Sequence, residues 1–226
     1  RDQSNMNKLN HIAFIMDGNG RWGRKKNKSR NFGHLRGLDT VKKTVKDLIK
    51  LKIPIATFYV FSSENWKRPK NEIIFLFKLI KKYFVEEIKR VISQGVKVNI
   101  LGEINKLPKD VKFILKDAEK LTKKNKKIIV NLAINYGSRN EIIYAIKKIK
   151  KISIRNIEKN LYTKNLPNPD ILIRTGGYKR LSNFMLWQLS YSELFFIEKL
   201  WPDFQTKDLK KIIKQYKKIK RNFGAV

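Results

Sequence analysis

Six short apolar runs punctuate the chain, and between them apolar residues recur at helical spacing. The runs cover 11–16, 54–61, 96–101, 128–134, 170–174 and 194–198. They are rich in Ile, Val, Phe and Tyr, the pattern of strands buried on both faces. Between the first two, residues 35–51 place Leu35, Leu38, Val41, Val45, Leu48 and Ile49 along one side of a helix. Segments 107–123, 139–151 and 207–221 repeat that spacing, with lysine on the outer face. Alternating strands and helices predict an α/β fold, with a largely parallel central sheet flanked by helices. The stretch 152–169 is polar, ends Leu166-Pro-Asn-Pro169 and reads as a surface connection without a domain break. Residues 1–226 are therefore expected to form a single domain. Within it, 1–10 would be a flexible arm and 205–226 a C-terminal helix and tail.

The helical stretch 71–92 differs from the others. Its first two turns (Ile73-Ile-Phe-Leu-Phe77, Leu79, Ile80) are apolar nearly all round, and Tyr83, Phe84, Ile88 and Val91 extend the pattern. Such a helix is buried on more than one side. It could pack between the sheet and a subunit neighbour, or line an elongated apolar tunnel. The pattern leaves both open.

Composition narrows the class. There is no cysteine, which excludes disulfides, thiolate nucleophiles and cysteine-based metal sites and fits a reducing, cytoplasmic setting. No apolar run approaches the ~18 residues of a membrane span, so any membrane contact is expected to be peripheral. The start, Arg1-Asp-Gln-Ser-Asn-Met6, lacks the apolar stretch of a signal peptide and is expected to be a trimmed end. The formal charge of +33 would suit phosphorylated substrates, anionic lipid or nucleic acid. Of the 52 basic residues, however, only 12 are arginine, and the lysines are spread over every helix. Aromatic residues lie within apolar runs instead of forming base-stacking platforms. No specific nucleic-acid partner is expected, although a basic α/β scaffold that binds nucleic acid is the rival reading.

The chemistry concentrates in His11-Ile-Ala-Phe-Ile-Met-Asp17-Gly-Asn-Gly-Arg21-Trp22, an apolar strand ending on a carboxylate, then a glycine-rich turn, a cation and an aromatic. Turn amides can form an anion-binding nest. A phosphate there would lie within reach of Arg21 and Asp17. Asp17 makes sense beside it chiefly if a divalent cation intervenes. The reading is a Mg²⁺-assisted diphosphate site. The same residues contain Gly18-x-Gly20-x-x-Gly23, with Asp39 downstream, a match to the dinucleotide-binding fingerprint. That fingerprint needs a tightly packed helix directly after the glycines, and Arg24-Lys-Lys-Asn-Lys-Ser-Arg30 has no apolar face to lay on a sheet.

Three further segments join it. Phe61-Ser62-Ser63-Glu64-Asn65-Trp66-Lys67-Arg68-Pro69 follows a strand and should share the carboxyl edge of the sheet with Asp17. Ile173-Arg174-Thr-Gly-Gly-Tyr178-Lys-Arg180-Leu181-Ser182-Asn183 offers two arginines and a serine for a second phosphate. In Trp187-Gln-Leu-Ser-Tyr-Ser-Glu193-Leu-Phe-Phe, a lone carboxylate within an apolar stretch needs a partner.

These motifs, with Phe32-Gly-His34 and Trp201-Pro-Asp-Phe204, appear in an order that resembles the cis-prenyltransferases. The bacterial undecaprenyl diphosphate synthases fit the motifs best, and the likeness spans residues 11–204. The resemblance implies repeated addition of isopentenyl diphosphate to an allylic prenyl diphosphate, usually farnesyl diphosphate. It implies Mg²⁺, a homodimer, and a product used as a lipid carrier precursor for peptidoglycan. By that resemblance Asp17 is the catalytic, metal-binding aspartate and Glu193 the second metal carboxylate. Gly18, Asn19, Gly20, Arg21, Trp22, Arg30 and His34 surround the allylic diphosphate. Arg174, Arg180, Leu181 and Ser182 belong to the isopentenyl diphosphate site. Ser62, Ser63, Glu64, Trp66 and Arg68 form the mobile substrate segment, and Asn65 is the proton acceptor, although a neutral amide is a poor base. An Asp-Asp-x-x-Asp cluster, the mark of trans-type enzymes, is absent. Two departures stand out. Tyr178 occupies a position that is often acidic, and Asn222 replaces the arginine of a C-terminal Arg-x-Gly tail, with Arg221 one position earlier.

Overall fold

The computed structural model describes residues 8–220, so the Arg221–Asn222 departure lies outside the described residues. A six-stranded sheet forms the centre, in the order β3-β4-β2-β1-β5-β6, with every neighbouring pair parallel. The elements run β1 (His11–Ile15), α1 (Asn19–Lys25), α2 (Arg30–Lys50), β2 (Ile55–Ser62), α3 (Lys70–Ser93) and β3 (Val96–Leu101). They continue with α4 (Lys109–Thr122), β4 (Ile128–Tyr136), α5 (Ser138–Ile146), α6 (Ile154–Glu158), β5 (Ile171–Arg174), β6 (Glu193–Phe196) and α7 (Thr206–Tyr216). The six apolar runs are thus the six strands, to within one or two residues.

Strand parity divides the core. Ile12 and Phe14 of β1 face one apolar cluster, which includes Phe58, Phe77, Leu115, Trp201 and Leu209, whereas Ala13 and Ile15 face a second with Tyr136, Leu172, Phe184 and Met185. Burial on both faces is why the strands read as continuous apolar runs. Phe14 stacks on Phe58 at 4.9 Å between ring centres, and Trp201 meets both edge-on. His11 is structural. Its ring sits between the Pro167 carbonyl (2.8 Å) and the Thr57 hydroxyl (2.7 Å), and burial lowers its pKa to about 4.

Strand β1 is where the order turns. It pairs with β2 on one side and β5 on the other. In open parallel sheets, ligands bind beyond the carboxyl ends of strands at such a switch point. Asp17 stands two residues past the end of β1.

Two expectations are corrected here. Residues 8–10 are not a loose arm, because Leu9 is buried and the Asn10 backbone N–H donates to Asp170 at 2.7 Å. Residues 19–25 are not a turn but a helix, α1, and α2 starts at Arg30 behind a Ser29 cap that accepts the Phe32 N–H at 3.1 Å. Small residues explain the second correction. Gly23 and Gly33 let the backbones of α1 and α2 touch, a tertiary contact that outweighs the low helix propensity of glycine.

Candidate active site

The carboxyl end of β1 is pinned from two directions. The Asp17 carbonyl accepts the Trp201 N–H at 2.9 Å and the Thr175 hydroxyl at 2.7 Å. Gly18 then takes φ 110°, where a Cβ would lie 2.9 Å from that of Leu200. This bend aims the Asp17 side chain along the sheet edge. One carboxylate oxygen accepts from Arg21 Nη2 at 3.2 Å, the other from Arg174 Nη2 at 2.9 Å. Arg174, at the end of β5, is only 3% exposed and also donates to Ser182 Oγ at 2.8 Å and to the Arg180 carbonyl. Ser182 takes φ 51° to present its hydroxyl there. One aspartate therefore bridges the arginines of the two segments that the sequence assigned to separate phosphates.

The first segment opens on a polar cavity lined by Met16, Asp17, Gly18, Asn19, Gly20, Arg21, Arg30, His34 and Arg68. Three cations or donors of this wall converge on Glu72, in the first turn of α3. Arg30 donates through Nε and Nη2, each at 3.2 Å, His34 Nε2 lies at 3.2 Å and Arg68 Nη1 at 3.1 Å. Burial alone would raise the Glu72 pKa, but hydrogen bonding from Arg30 and the charges of Arg30 and Arg68 hold it below the ordinary carboxylate value. Burial, and then the charge of Arg68, lowers that of His34, so the imidazole is neutral at pH 7. Glu72 thus stands where a bound anion would draw these groups together. It is absent from the sequence-based set. Its one sequence signal is the spacing of four residues after Arg68, which stands in extended backbone just before α3, across Pro69.

The segment after β2 is a short 3₁₀ turn, Ser63–Lys67. Asn65 Oδ1 accepts the Ser62 backbone N–H at 3.1 Å, so its carboxamide oxygen holds the turn. Glu64 accepts from Asn183 at 2.8 Å, tying this segment to the one after β5, and Trp66 donates to Asn135 at 2.9 Å while 41% exposed. Ser63 packs against Gly137. Trp22 donates to Asp203 at 2.7 Å and stacks on Phe32. Leu181 packs against the second core cluster.

A second, apolar cavity, open to solvent, lies between α2, α3 and the sheet. Leu38, Val41 and Val45 of α2, Leu76, Leu79, Ile80 and Phe84 of α3, and Val98, Val130 and Leu132 of the strands line it. Outward residues Ile74 and Val85 of α3 are exposed. At the end remote from Asp17, Glu87 pairs with Lys42 at 2.6 Å and with Arg90 at 3.2 Å. The polar and apolar cavities share Met16, Asn19 and His34 in their walls, so they lie side by side.

The structure does not bring Glu193 to this site. Register pairs Glu193 with Ile171, and Ile171 with Ile12, so Glu193 is level with the start of β1. Asp17 lies five residues further along, roughly 16 Å at strand rise. One chain therefore does not hold one ion between these two carboxylates. The described residues contain no cluster of three metal-ligating side chains. Asp17 at the rim of a cationic cavity does suit Mg²⁺ that brings phosphate oxygens with it, since this ion is commonly held by one or two carboxylates plus substrate. Dinucleotide binding loses its acid as well, because Asp39 is an exposed residue of α2 paired with Arg36.

A parallel sheet with a cationic cavity at its switch point, beside an apolar one, fits the prenyltransferase class. The chain belongs to the undecaprenyl diphosphate synthase family, whose sequence profile matches residues 15–224. It is 42% identical to an isoprenyl transferase of Oceanobacillus iheyensis, covering 96% of this chain and 90% of that one. An isoprenyl transferase of Fusobacterium nucleatum is also 42% identical, with 96% of each chain covered. Among solved structures, a probable undecaprenyl diphosphate synthase from Campylobacter jejuni superposes with TM-score 0.83 at 36% identity, covering 97% of this chain and 100% of that one. Lavandulyl diphosphate synthase from Lavandula x intermedia, in complex with dimethylallyl diphosphate, superposes with TM-score 0.91 at 31% identity, covering 95% and 98%.

Proposed function

We propose that this prenyltransferase condenses isopentenyl diphosphate repeatedly onto an allylic diphosphate such as farnesyl diphosphate, forming a long cis-polyprenyl diphosphate. Undecaprenyl diphosphate, the lipid carrier precursor for peptidoglycan, is the expected product class. The observation that carries this reading is that the cationic cavity lies against the apolar one, with Met16, Asn19 and His34 in the walls of both. A headgroup and a growing hydrocarbon chain need that juxtaposition.

In this reading the allylic diphosphate takes over the partners of Glu72, lying against Gly18, Asn19, Gly20, Arg21, Arg30, His34 and Arg68. As the allylic C–O bond breaks, negative charge grows on the departing diphosphate, and fixed guanidinium groups stabilise it without reorganising at that moment. Isopentenyl diphosphate is held by Arg174, Arg180 and Ser182. Its alkene attacks the allylic carbon, and a proton is lost from the attacking unit. Mg²⁺ held by Asp17 and phosphate oxygens would supply further neutralisation of the leaving charge. Asn65 is assigned to position the segment beside the reacting carbons. The enzyme is further proposed to act as a cytoplasmic homodimer with peripheral membrane contact. Exposed Tyr191 and Leu194 beside the edge strand β6 support a self-contact, and no helix among the described residues is long and apolar enough to cross a membrane.

Incubation with radiolabelled isopentenyl diphosphate, farnesyl diphosphate and Mg²⁺, followed by product sizing, tests the activity. Absence of labelled product with every short allylic primer overturns it. Chain length tests the cavity. Leu79→Trp should shorten the products while sparing the first condensations, because the added rings fill space needed only by longer chains. Overpacking costs about 1–3 kcal/mol, so the variant's unfolding midpoint must be followed too. An unchanged product distribution in a folded Leu79→Trp protein would mean that the chain grows elsewhere.

A further inference from the structure

We propose that Tyr178 is a positioning residue that holds the arginines of both diphosphate sites against one aromatic ring. The inference rests on the assignment above of Arg21 to the allylic diphosphate and Arg180 to isopentenyl diphosphate. Arg21 Cζ lies 4.7 Å and Arg180 Cζ 4.1 Å from the centre of the Tyr178 ring, both within cation–π range. Two consecutive glycines put the ring there. Gly176 at φ 89° and Gly177 at φ 80° turn the chain back after β5, a conformation that side chains with a Cβ rarely adopt. Gly176 also admits the Arg21 guanidinium, which donates to the Gly176 carbonyl at 2.8 Å, where a Cβ would stand 2.5 Å from Arg21 Nη2.

The choice of an aromatic at this position has a physical consequence. Arg21 already pairs with Asp17, whereas no ion pair to a carboxylate is seen for Arg180 among the described residues. An acidic residue at 178, common in the family, would instead form an ion pair with one of the two arginines. A ring attracts guanidinium through its quadrupole, carries no net charge, and leaves the N–H groups at the guanidinium edge free to fork onto phosphate oxygens. Arg180 is an exposed, long side chain, so holding its position removes part of the ordering cost of binding. The ring therefore orients positive charge toward both ligands without competing with them. The contact to Arg180 is the shorter one, so isopentenyl diphosphate should be the more affected substrate.

The test compares Tyr178→Leu, Tyr178→Phe and Tyr178→Glu by steady-state kinetics and by calorimetric binding of isopentenyl diphosphate and of inorganic pyrophosphate. Tyr178→Leu is expected to raise the KM for isopentenyl diphosphate about three- to tenfold, with a smaller rise for the allylic substrate and kcat nearly unchanged. Tyr178→Phe keeps the ring and should restore the parental KM. Tyr178→Glu replaces the shared ring contact by an ion pair to one arginine and should affect the two diphosphates unequally. A Tyr178→Leu protein with parental KM values overturns the proposal, as does a Tyr178→Phe protein as impaired as Tyr178→Leu, which would make the hydroxyl the active group. A fall in kcat and unfolding midpoint with unchanged KM also overturns it, as a purely structural role. If the parental protein binds neither diphosphate, the underlying functional reading fails instead.

Discussion

Asp17→Asn is expected to lower turnover at least about a thousandfold, equivalent to about 4 kcal/mol of transition-state stabilisation, while leaving the fold intact. The amide keeps an oxygen to accept from Arg174, so the buried guanidinium remains hydrogen-bonded, but it loses the charge that a metal requires. Asp17→Ala is expected to be equally inactive and also less stable. Arg174 is 3% exposed and would lose the counter-charge 2.9 Å away. Breaking a fully buried pair costs about 3–5 kcal/mol. Asp17 is partly exposed, and Arg174 keeps Ser182 and the Arg180 carbonyl, so about 2 kcal/mol is the expected cost here. Kinetics at saturating Mg²⁺ together with thermal unfolding separate the two effects. Near-parental turnover by Asp17→Asn would remove the metal role, and an Asp17→Ala protein as stable as the parent would remove the ion-pair account.

Gly33→Ala should be the most disruptive conservative change in the molecule. Helix propensity by itself favours alanine over glycine in mid-helix by about 1 kcal/mol. Steric exclusion opposes that preference and outweighs it. A Cβ at Gly33 would stand 1.8 Å from the Asn19 carbonyl oxygen and 3.1 Å from the Gly23 nitrogen. Both are backbone atoms, so no rotamer change relieves the clash, and α1 must move away from α2. Overpacking of this kind costs about 1–3 kcal/mol, and the upper end applies where backbone meets backbone. The displacement carries Asn19 and Gly20 away from Arg30 and His34, so allylic diphosphate binding should weaken with stability. Urea unfolding and equilibrium binding of farnesyl diphosphate measure the two. A raised unfolding midpoint, the result that propensity alone demands, would mean that α1 and α2 are not in the contact described.

The fold is legible in the sequence because its strands are buried on both faces. A parallel sheet covered by helices writes each strand as an unbroken apolar run, and each of the six runs is a strand. Helices α2, α4 and α7 are legible for the complementary reason, since a one-sided helix must repeat its apolar positions every three or four residues. The short helix α1 is not. Its glycines and lysines carry no apolar stripe, and it exists because Gly23 and Gly33 admit a close crossing with α2. The motif residues around Asp17, Arg30 and Arg174 are legible as chemistry, because the carboxyl ends of parallel strands collect the loops that follow them.

What stays out of reach depends on register and on contacts between distant segments. Glu72 looks like an ordinary first-turn helix carboxylate, yet it gathers Arg30, His34 and Arg68 into one cluster. Glu193 matches a metal position by motif, but the parallel pairing of β5 with β6 sets it at the opposite end of the sheet from Asp17. Tyr178 is visible only as a departure from an acidic pattern until two glycines at positive φ place its ring beside Arg21 and Arg180. Sequence by itself determined the six strands, the helices with an apolar stripe and the family, because burial periodicity and contiguous motifs are local properties of the chain. Which side chains share one cavity was decided only by the tertiary structure. Strand order, register and helix crossing bring together residues that are up to about 160 positions apart, and no local pattern encodes those pairings.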